Sequence, residues 1–438
     1  MAFLTFRGGI HPYDGKDLSK NCPVEKYLPK GDLAILVSQH IGAPAKPIVK
    51  KGDHVLAGQK IAEAGGFVSA PIHSSVSGTV KGIEKRLTAV GAMGDAIIIE
   101  NDGLYESVEY TPAKLSDLSK EDILKRIQEG GVVGQGGAGF PTHVKLSPKE
   151  PDKIDHILVN GAECEPYITS DYRRMMEEPE SVVGGLEVIL KAFPKAVGCI
   201  CIEDNKPDCI AKMKEAIKGK ERMEVKELKT KYPQGGERTL IYAVTGREIN
   251  STMLPADAGC IVDNVETLIG IHNAVIKGKP LMERVVTVSG DAVEKPGNFM
   301  APFGINHREL VEAAGGLKAE PQKLISGGPM MGFAMVTMDA PVTKTSSSIL
   351  LFKEDVVAKS LETACINCGR CVEICPSRII PSRLADFSKR KDEASFVAWN
   401  GLECVECGSC SYVCPAKRQL KQAIGSMRKT ALANRKKK

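Results

Sequence analysis

Gly134-Gln-Gly-Gly-Ala-Gly-Phe-Pro-Thr-His-Val-Lys145 decides how the middle of this chain folds. Glycines at 134, 136, 137 and 139 let the backbone take positive φ and bring its amides close to a ligand. Thr142, after Pro141, is placed to cap a short helix whose positive end favours an anion. A phosphate-bearing cofactor is the natural occupant. This is no Rossmann fingerprint, because a helix precedes the loop and the glycine spacing differs. That helix is predicted over Glu121–Gln128, with Ser119 near its N-cap and Gly130-Gly131 as its stop. Downstream, Lys153–Val159 reads as a buried strand running into Asn160-Gly-Ala-Glu-Cys-Glu-Pro166. Asn160, Glu163 and Glu165 thereby fall at a strand's carboxyl end, where α/β sheets bind ligands. Further strand signals lie at 196–202 and 223–229, with helical patterns between them and after Gly235 and Asp263. Alternating elements of this kind imply a parallel or mixed sheet covered by helices.

The second decisive signal is cysteine spacing. Cys365-x2-Cys368-x2-Cys371-x3-Cys375-Pro376 is repeated as Cys404-x2-Cys407-x2-Cys410-x3-Cys414-Pro415. Each run has the spacing of a bacterial [4Fe–4S] ferredoxin, in which the fourth cysteine serves the other cluster. Cys365, Cys368, Cys371 and Cys414 are therefore assigned to one cluster, and Cys404, Cys407, Cys410 and Cys375 to the second. Paired zinc sites want a longer gap between cysteine pairs and fit poorly. The residues Arg378–Phe387 between the runs read as helical. Cys22, Cys164, Cys199, Cys201, Cys209 and Cys260 match no ligand pattern and read as small buried side chains.

Composition narrows the class. The 438 residues are 42% hydrophobic and 26% charged, which excludes fibrous or largely disordered chains, and no apolar run is long enough to span a bilayer. Met1–Gly9 lacks a basic n-region and an apolar core, so nothing marks export and reduced cysteines are expected. Aromatic residues make up 5%, too few for nucleic-acid stacking platforms, and no nucleic-acid partner is expected. The net charge of +5 hides a split, since 417–438 holds nine Lys or Arg and no acid, leaving 50 basic against 54 acidic residues. Such a tail is either an unstructured solubilising end or a contact for anionic lipid or an acidic partner.

Specific motifs then carry resemblances. Gly134–Lys145 resembles the glycine loop of the flavin- and NADH-binding subunit of respiratory complex I, and Asn160–Tyr167 resembles its N-x-D-E-x-E-P segment. Tyr232–Leu240 and Val262–Leu268 are similar to its next two motifs, in the same order. That resemblance implies FMN and incoming NADH surrounded by Gly134, Gly136, Gly137, Gly139, Phe140, Thr142, Lys145, Asn160, Glu163, Glu165, Glu237, Asp263, Asn264 and Thr267. Ala162, Gly236 and Leu146-Ser-Pro148 depart from the pattern and bear on the dinucleotide more than on the flavin. Residues 47–80 resemble half of a biotinyl/lipoyl β-sandwich whose tip, Ala64–Ser69, lacks the lysine to be modified, so an assembly role is expected. His40, His54 and His73 have no ligand partners at recognisable spacing and read as structural. Arg284–Gly290 with a helix near Leu310–Ala314 resembles a small β-grasp module. There, Ser326–Gly332 reads as a tight turn, with Met330 and Met331 as core filler.

The expected architecture is a multidomain α/β chain. It has a β-sandwich at 1–110, an α/β FMN/NADH domain at 111–280 and a β-grasp module at 281–345. An α-helical two-cluster ferredoxin domain follows at 346–416, then the basic tail at 417–438. With its opening Phe6-Arg-Gly-Gly-Ile-His-Pro12, this order resembles the RnfC component of the Rnf electron-transport complexes over essentially the whole chain. The resemblance implies an NADH:acceptor oxidoreductase subunit, peripheral on the cytoplasmic side of the cell membrane. It implies hydride exchange between NADH and FMN, then single electrons through two [4Fe–4S] clusters. Its partners would be the other members of a membrane complex coupling ferredoxin:NAD electron transfer to Na⁺ or H⁺ movement, with ferredoxin reached through one of them. Two alternatives stay open on the residues: a soluble flavin–iron–sulfur NADH oxidoreductase of hydrogenase or cobalamin-reductase type, and a non-enzymatic ferredoxin scaffold.

Overall fold

The structure, a computed structural model, describes residues 4–435. Near the N-terminus, two sheets face each other. One orders Leu33–Leu36, Met93–Asn101, Gly78–Leu87 and His54–Val55, and the other Lys46–Pro47, Lys60–Glu63 and Ile72–His73. Period-two alternation builds the sandwich: Leu33, Ile35, Ile97 and Ile99 point into its core, while Leu36, Ala96 and Ile98 pack on the opposite face. Its hairpin tip bears on the next domain, where the Phe67 backbone meets His143.

The α/β domain holds four parallel strands in the order Met223–Leu228, Val197–Glu203, His156–Gly161, Cys260–Asn264. Ile157, Val159, Ile200 and Ile202 are buried among helices on one face, and Leu158, Cys199 and Cys201 on the other. Two-sided burial explains the unbroken apolar runs. The predicted helix forms as Lys120–Glu129, and Ser119 and Asp122 close a capping box at 2.9 and 3.1 Å. The strand expected from Lys153 begins at His156 instead, because Pro151–Lys153 winds into a 3₁₀ turn.

A buried ion pair ties this domain to the β-grasp sheet. Arg174 donates from Nε to Glu266 Oε2 at 2.9 Å, and Glu266 Oε1 accepts the Val285 N–H at 3.3 Å. Removing Glu266 leaves buried Arg174 only its second partner, Glu178, and takes the acceptor from the Val285 N–H, so Glu266→Ala is expected to destabilise the fold by about 1–3 kcal/mol. A urea midpoint equal to that of the parent chain would refute this.

The third domain is a six-stranded mixed sheet ordered Val24–Lys26, Gly297–Pro302, Glu283–Ser289, Ser348–Phe352, Lys323–Ser326, Phe333–Ala334. Its helix, His307–Ala313, is capped by Asn306. The sheet takes in two strands from outside the expected 281–345: Val24–Lys26 on one edge, and Ser348–Phe352, whose Ile349, Leu350 and Leu351 need cover on both faces. Met331 is 48% exposed and is not core filler, whereas Met330 packs in an apolar group described below.

Helices Pro381–Lys389, Glu393–Ala398 and Leu420–Arg435 enclose the core of the cysteine-rich domain, with Leu384, Phe396, Leu402 and Ile424 inside. The last helix corrects one reading of the basic tail. From 420 to 435 it is no loose end, because Leu420, Ile424, Met427 and Ala431 lie on one helical face and are buried against this core. Residues 436–438 lie outside the described residues.

Before the sandwich, residues 4–16 run as a strap across the other domains. Leu4 bridges Leu228, Ile10 bridges Tyr232, the Gly9 N–H donates to the Ile374 carbonyl at 2.8 Å, and Tyr167 N–H to Asp14 O at 2.6 Å. Among the described residues, no helix is long and apolar enough to cross a membrane.

Candidate functional site

The glycine loop closes on itself. The Gly134 N–H donates to Phe140 O at 2.9 Å, the Thr142 N–H to Val132 O at 3.1 Å, and Val133 bridges Pro141. Gly139 holds φ of 72°, and a Cβ there would press on His40 Cα and Gln39 O at 3.0 Å. Gly137 faces open space, and a Cβ on Gly136 would meet the Asn264 side chain at 2.7 Å. The following helix is only Thr142–Lys145, and the Thr142 hydroxyl makes no cap bond to it, contrary to expectation.

Strand register sets Asn160 beside Asn264 at the carboxyl ends of two parallel strands. Asn160 donates to Gly235 O at 2.9 Å, and Asn264 caps the helix Val265–Val275. Thr267 Oγ1 accepts the Gln135 N–H at 3.0 Å, and Lys145 Nζ donates to Asp263 Oδ1 at 3.0 Å and Val262 O at 2.7 Å. Glu237, exposed, opens the adjoining helix Glu237–Thr245. The loop glycines, Lys145, Asn160, Asp263, Asn264 and Thr267 thus come together from three separate stretches of chain. Around them Gln135 Oε1, Thr142 Oγ1 and Asp263 Oδ2 are buried without partners. Buried polar atoms are normally paired, so this cradle, open at Gly137 and edged by unpaired oxygens, fits a hydroxyl- and phosphate-bearing group such as FMN.

The acidic segment is held from unexpected directions. Glu163 sits at φ of 47°, a strained backbone for a side-chain-bearing residue. Its Oε1 accepts the Asp171 N–H at 2.6 Å, and Oε2 lies 3.8 Å from Lys16 Nζ. Lys16, delivered by the strap, also donates to Glu165 O at 3.0 Å and Ile168 O at 2.5 Å. Burial pulls the Lys16 ammonium below its ordinary range and pushes Glu163 above its own, each countered by the other's charge. At the Ala162 departure, Lys206 Nζ donates to the Ala162 carbonyl at 2.7 Å. The Leu146 departure is fully buried in the domain core. Lys16 and Lys206 escaped sequence reading because their partners are distant in the chain and neither sits in a motif.

Asp171 turns its carboxyl inward onto Asn264 Nδ2 at 2.6 Å, although the residue as a whole is only half-buried. Loss of water, then the Glu163 charge, pushes it from 3.8 up to about 7. The folded chain therefore binds the extra proton across that window. The stabilisation is whole below about pH 4 and is lost as pH rises through about 7. Asp171→Asn is expected to flatten the fall of the urea midpoint over that window by about one proton's worth of slope. An unchanged slope would count against this assignment.

The cysteines gather as two sets. Cys375, Cys404, Cys407 and Cys410 line one narrow cavity together with Ile379 and Ile424. The other set is more open: Cys365 and Cys368 are exposed, and Cys371 and Cys414 half-buried. The Thr363 N–H donates to Ala416 O at 3.0 Å, which lays the start of the first run beside the end of the second. Both runs curl identically, with left-handed Asn367 and Gly369 in one matched by Glu406 and Gly408 in the other. Such alternation turns successive N–H groups inward into an anion-holding nest. Among the described residues no three His, Cys, Asp or Glu converge on one ion, which a cubane does not require because each thiolate takes its own iron. The residues fit two [4Fe–4S] clusters. The buried set abuts the α/β domain, where Tyr232 donates to Cys407 O at 2.7 Å and Ile10, Cys164, Met330, Ile374 and Val405 pack around the contact. Of the remaining cysteines, Cys199, Cys201, Cys209 and Cys260 are buried as expected, but Cys22 and Cys164 only half so.

Comparison with known proteins agrees domain by domain. Residues 4–104 match the RnfC barrel sandwich hybrid domain, 127–273 the Nuo51 FMN-binding domain, 285–334 the SLBB domain and 364–417 the 4Fe-4S dicluster domain. The chain is 46% identical over 87% of its length to the C component of the proton-translocating ferredoxin:NAD(+) oxidoreductase complex of Clostridium ljungdahlii, covering 84% of that protein. It is 43% identical over 99% of its length to the C component of the Na(+)-translocating ferredoxin:NAD(+) oxidoreductase complex of Acetobacterium woodii, covering 98% of that protein. A crystal structure of an air-oxidised NAD+-reducing [NiFe]-hydrogenase shares the fold with a TM-score of 0.50 and 18% identity, over 75% of this chain and 67% of that one. With this agreement across all four domains, the chain belongs to the RnfC family of the ion-translocating ferredoxin:NAD(+) oxidoreductase complexes.

Proposed function

We propose that this chain is the peripheral subunit at which NAD(H) exchanges electrons with a membrane complex, on its cytoplasmic side, that couples ferredoxin:NAD⁺ oxidoreduction to movement of Na⁺ or H⁺. The observation that carries the reading is the Tyr232–Cys407 contact, which seats a cluster-ligand loop directly on the flavin-type domain. When bound, FMN and the two clusters supply the conversion between a two-electron hydride and single electrons.

The protein supplies place and charge. The backbone of Gly136–Gly139, with its open face at Gly137, would cradle the phosphate end. Asn160, Asn264 and Lys145, fixed by the bonds above, would hold the rest of the flavin. By resemblance Glu163 and Glu165 belong to the dinucleotide side, although here their carboxylates are held by Lys16, the Asp171 amide and the Met330 and Met331 amides, and the eight cysteines of the two runs would ligate the clusters. Ion movement and the meeting with ferredoxin are assigned to partner subunits.

An anaerobic absorption spectrum of the FMN- and iron–sulfur-loaded chain, before and after NADH, tests this. Bleaching of both the flavin bands and the broad iron–sulfur absorption is expected. If dithionite bleaches the clusters while NADH leaves every band intact, the non-enzymatic scaffold is the better reading.

A further inference from the structure

Glu165 belongs by resemblance to the dinucleotide side, yet its carboxylate is committed elsewhere. Oε2 accepts the Met330 N–H at 3.1 Å and Oε1 the Met331 N–H at 2.9 Å, in the tight turn of the β-grasp module. Gly328 in that turn lies so close that a Cβ would stand 2.1 Å from Glu165 Oε2. The turn's other side lies on the second cysteine run, where a Cβ on Gly408 would come within 3.2 Å of Met330 O. Beside it the Tyr232 ring, 2% exposed, sends its hydroxyl to the Cys407 carbonyl at 2.7 Å. The Glu165 carboxylate lies against that same hydroxyl.

Two neighbouring residues of the ligand loop, Cys407 and Gly408, are thus gripped from the flavin side by two routes. One is direct, through a single O–H. The other passes from a carboxylate through two backbone amides of a third domain. We propose that Tyr232 and Glu165 are positioning residues that form a bracket setting the Cys404–Cys410 loop, and with it the electrostatic surroundings of the buried cluster. This rests on the reading of the cysteines given under the proposed function.

The signs of the two effects differ, which makes the bracket testable. Tyr232 neutralises the negative end of the Cys407 carbonyl dipole, so losing its proton leaves more negative potential near the cluster and disfavours the added electron. Losing the Glu165 charge does the reverse.

The test uses the full chain, loaded anaerobically with iron, sulfide and FMN, at about pH 8. Tyr232→Phe deletes one O–H, and Glu165→Gln keeps the shape while removing the charge. Iron and flavin content are measured first, then the electron paramagnetic resonance of each cluster during stepwise potentiometric reduction. Both variants are expected to keep the parent's iron and flavin. The buried cluster's midpoint should move to more negative potential in Tyr232→Phe and to more positive potential in Glu165→Gln, with an altered line shape, while the outer cluster stays put. If Tyr232→Phe fails to fold, the Glu165→Gln result decides. Unchanged buried-cluster signals overturn the bracket and leave the cysteine assignment standing, as does a raised KM for NADH in Glu165→Gln without any change in that cluster. A parent chain that takes up no buried cluster overturns both.

Discussion

Cys375→Ser is expected to remove the buried cluster, although Cys375 lies in the first cysteine run. Loaded protein should fall from about eight to about four irons, because losing one thiolate opens a corner of one cubane and leaves the other intact. The reason is spatial. Cys375 faces the cavity that Cys404, Cys407 and Cys410 line, and it is packed with Leu384 and Ile424 rather than turned out beside Cys365 and Cys368. The resonance spectrum left in Cys375→Ser should match that of Cys407→Ser and differ from that of Cys368→Ser. Since the buried loop is the one seated on Tyr232, NADH should no longer reduce the surviving cluster, while dithionite still does. A Cys375→Ser spectrum matching Cys368→Ser would reverse the cross-assignment.

Gly139→Ala should cost the chain its flavin. At φ of 72° an added Cβ is strained by about 1–2 kcal/mol whatever surrounds it. Here it would also meet Thr345 Cγ2 at 2.9 Å and the backbone of Gln39 and His40 at 3.0 Å, and backbone cannot swing aside. The loop must then open where its amides converge, so a drop in FMN affinity of at least about tenfold is expected, tenfold being about 1.4 kcal/mol. Gly219→Ala is the control, because it carries the same left-handed strain, at φ of 76°, outside the loop and with nothing within 4 Å of its added Cβ. FMN titration by fluorescence quenching reads both, and equal affinities in the two variants would refute the argument.

What the sequence carried well was short-range pattern. The strand signals at 196–202 and 223–229 became Val197–Glu203, buried on both faces, and Met223–Leu228, the half-buried edge strand beside it. The cysteine spacing carried its own geometry. What it carried poorly was contact between distant segments. Lys16 is an unremarkable lysine until the strap lays it against Glu163, and the Ser326–Gly332 turn shows nothing in its letters of a grip on Glu165. The tail misled for another reason. Its charge drew the eye, yet Leu420, Ile424, Met427 and Ala431 repeat at helical spacing on one face, and that quieter signal governs the packing.

The strap from Leu4 to Lys16 also bears on the order of events during biosynthesis. Leu4 has no neighbour strand until Leu228 exists, Ile10 none until Tyr232, and Gly9 no acceptor until Ile374 has left the ribosome. Segments made early must stay undocked while three later domains collapse, and loop closure over such separations is slow. The strap is then a closing stitch, sewn once the cysteine-rich domain has taken its seat. Its last knot lies over the first cysteine run, where a Cβ on Gly8 would stand 2.8 Å from Ile374 O and 3.1 Å from Cys375 O.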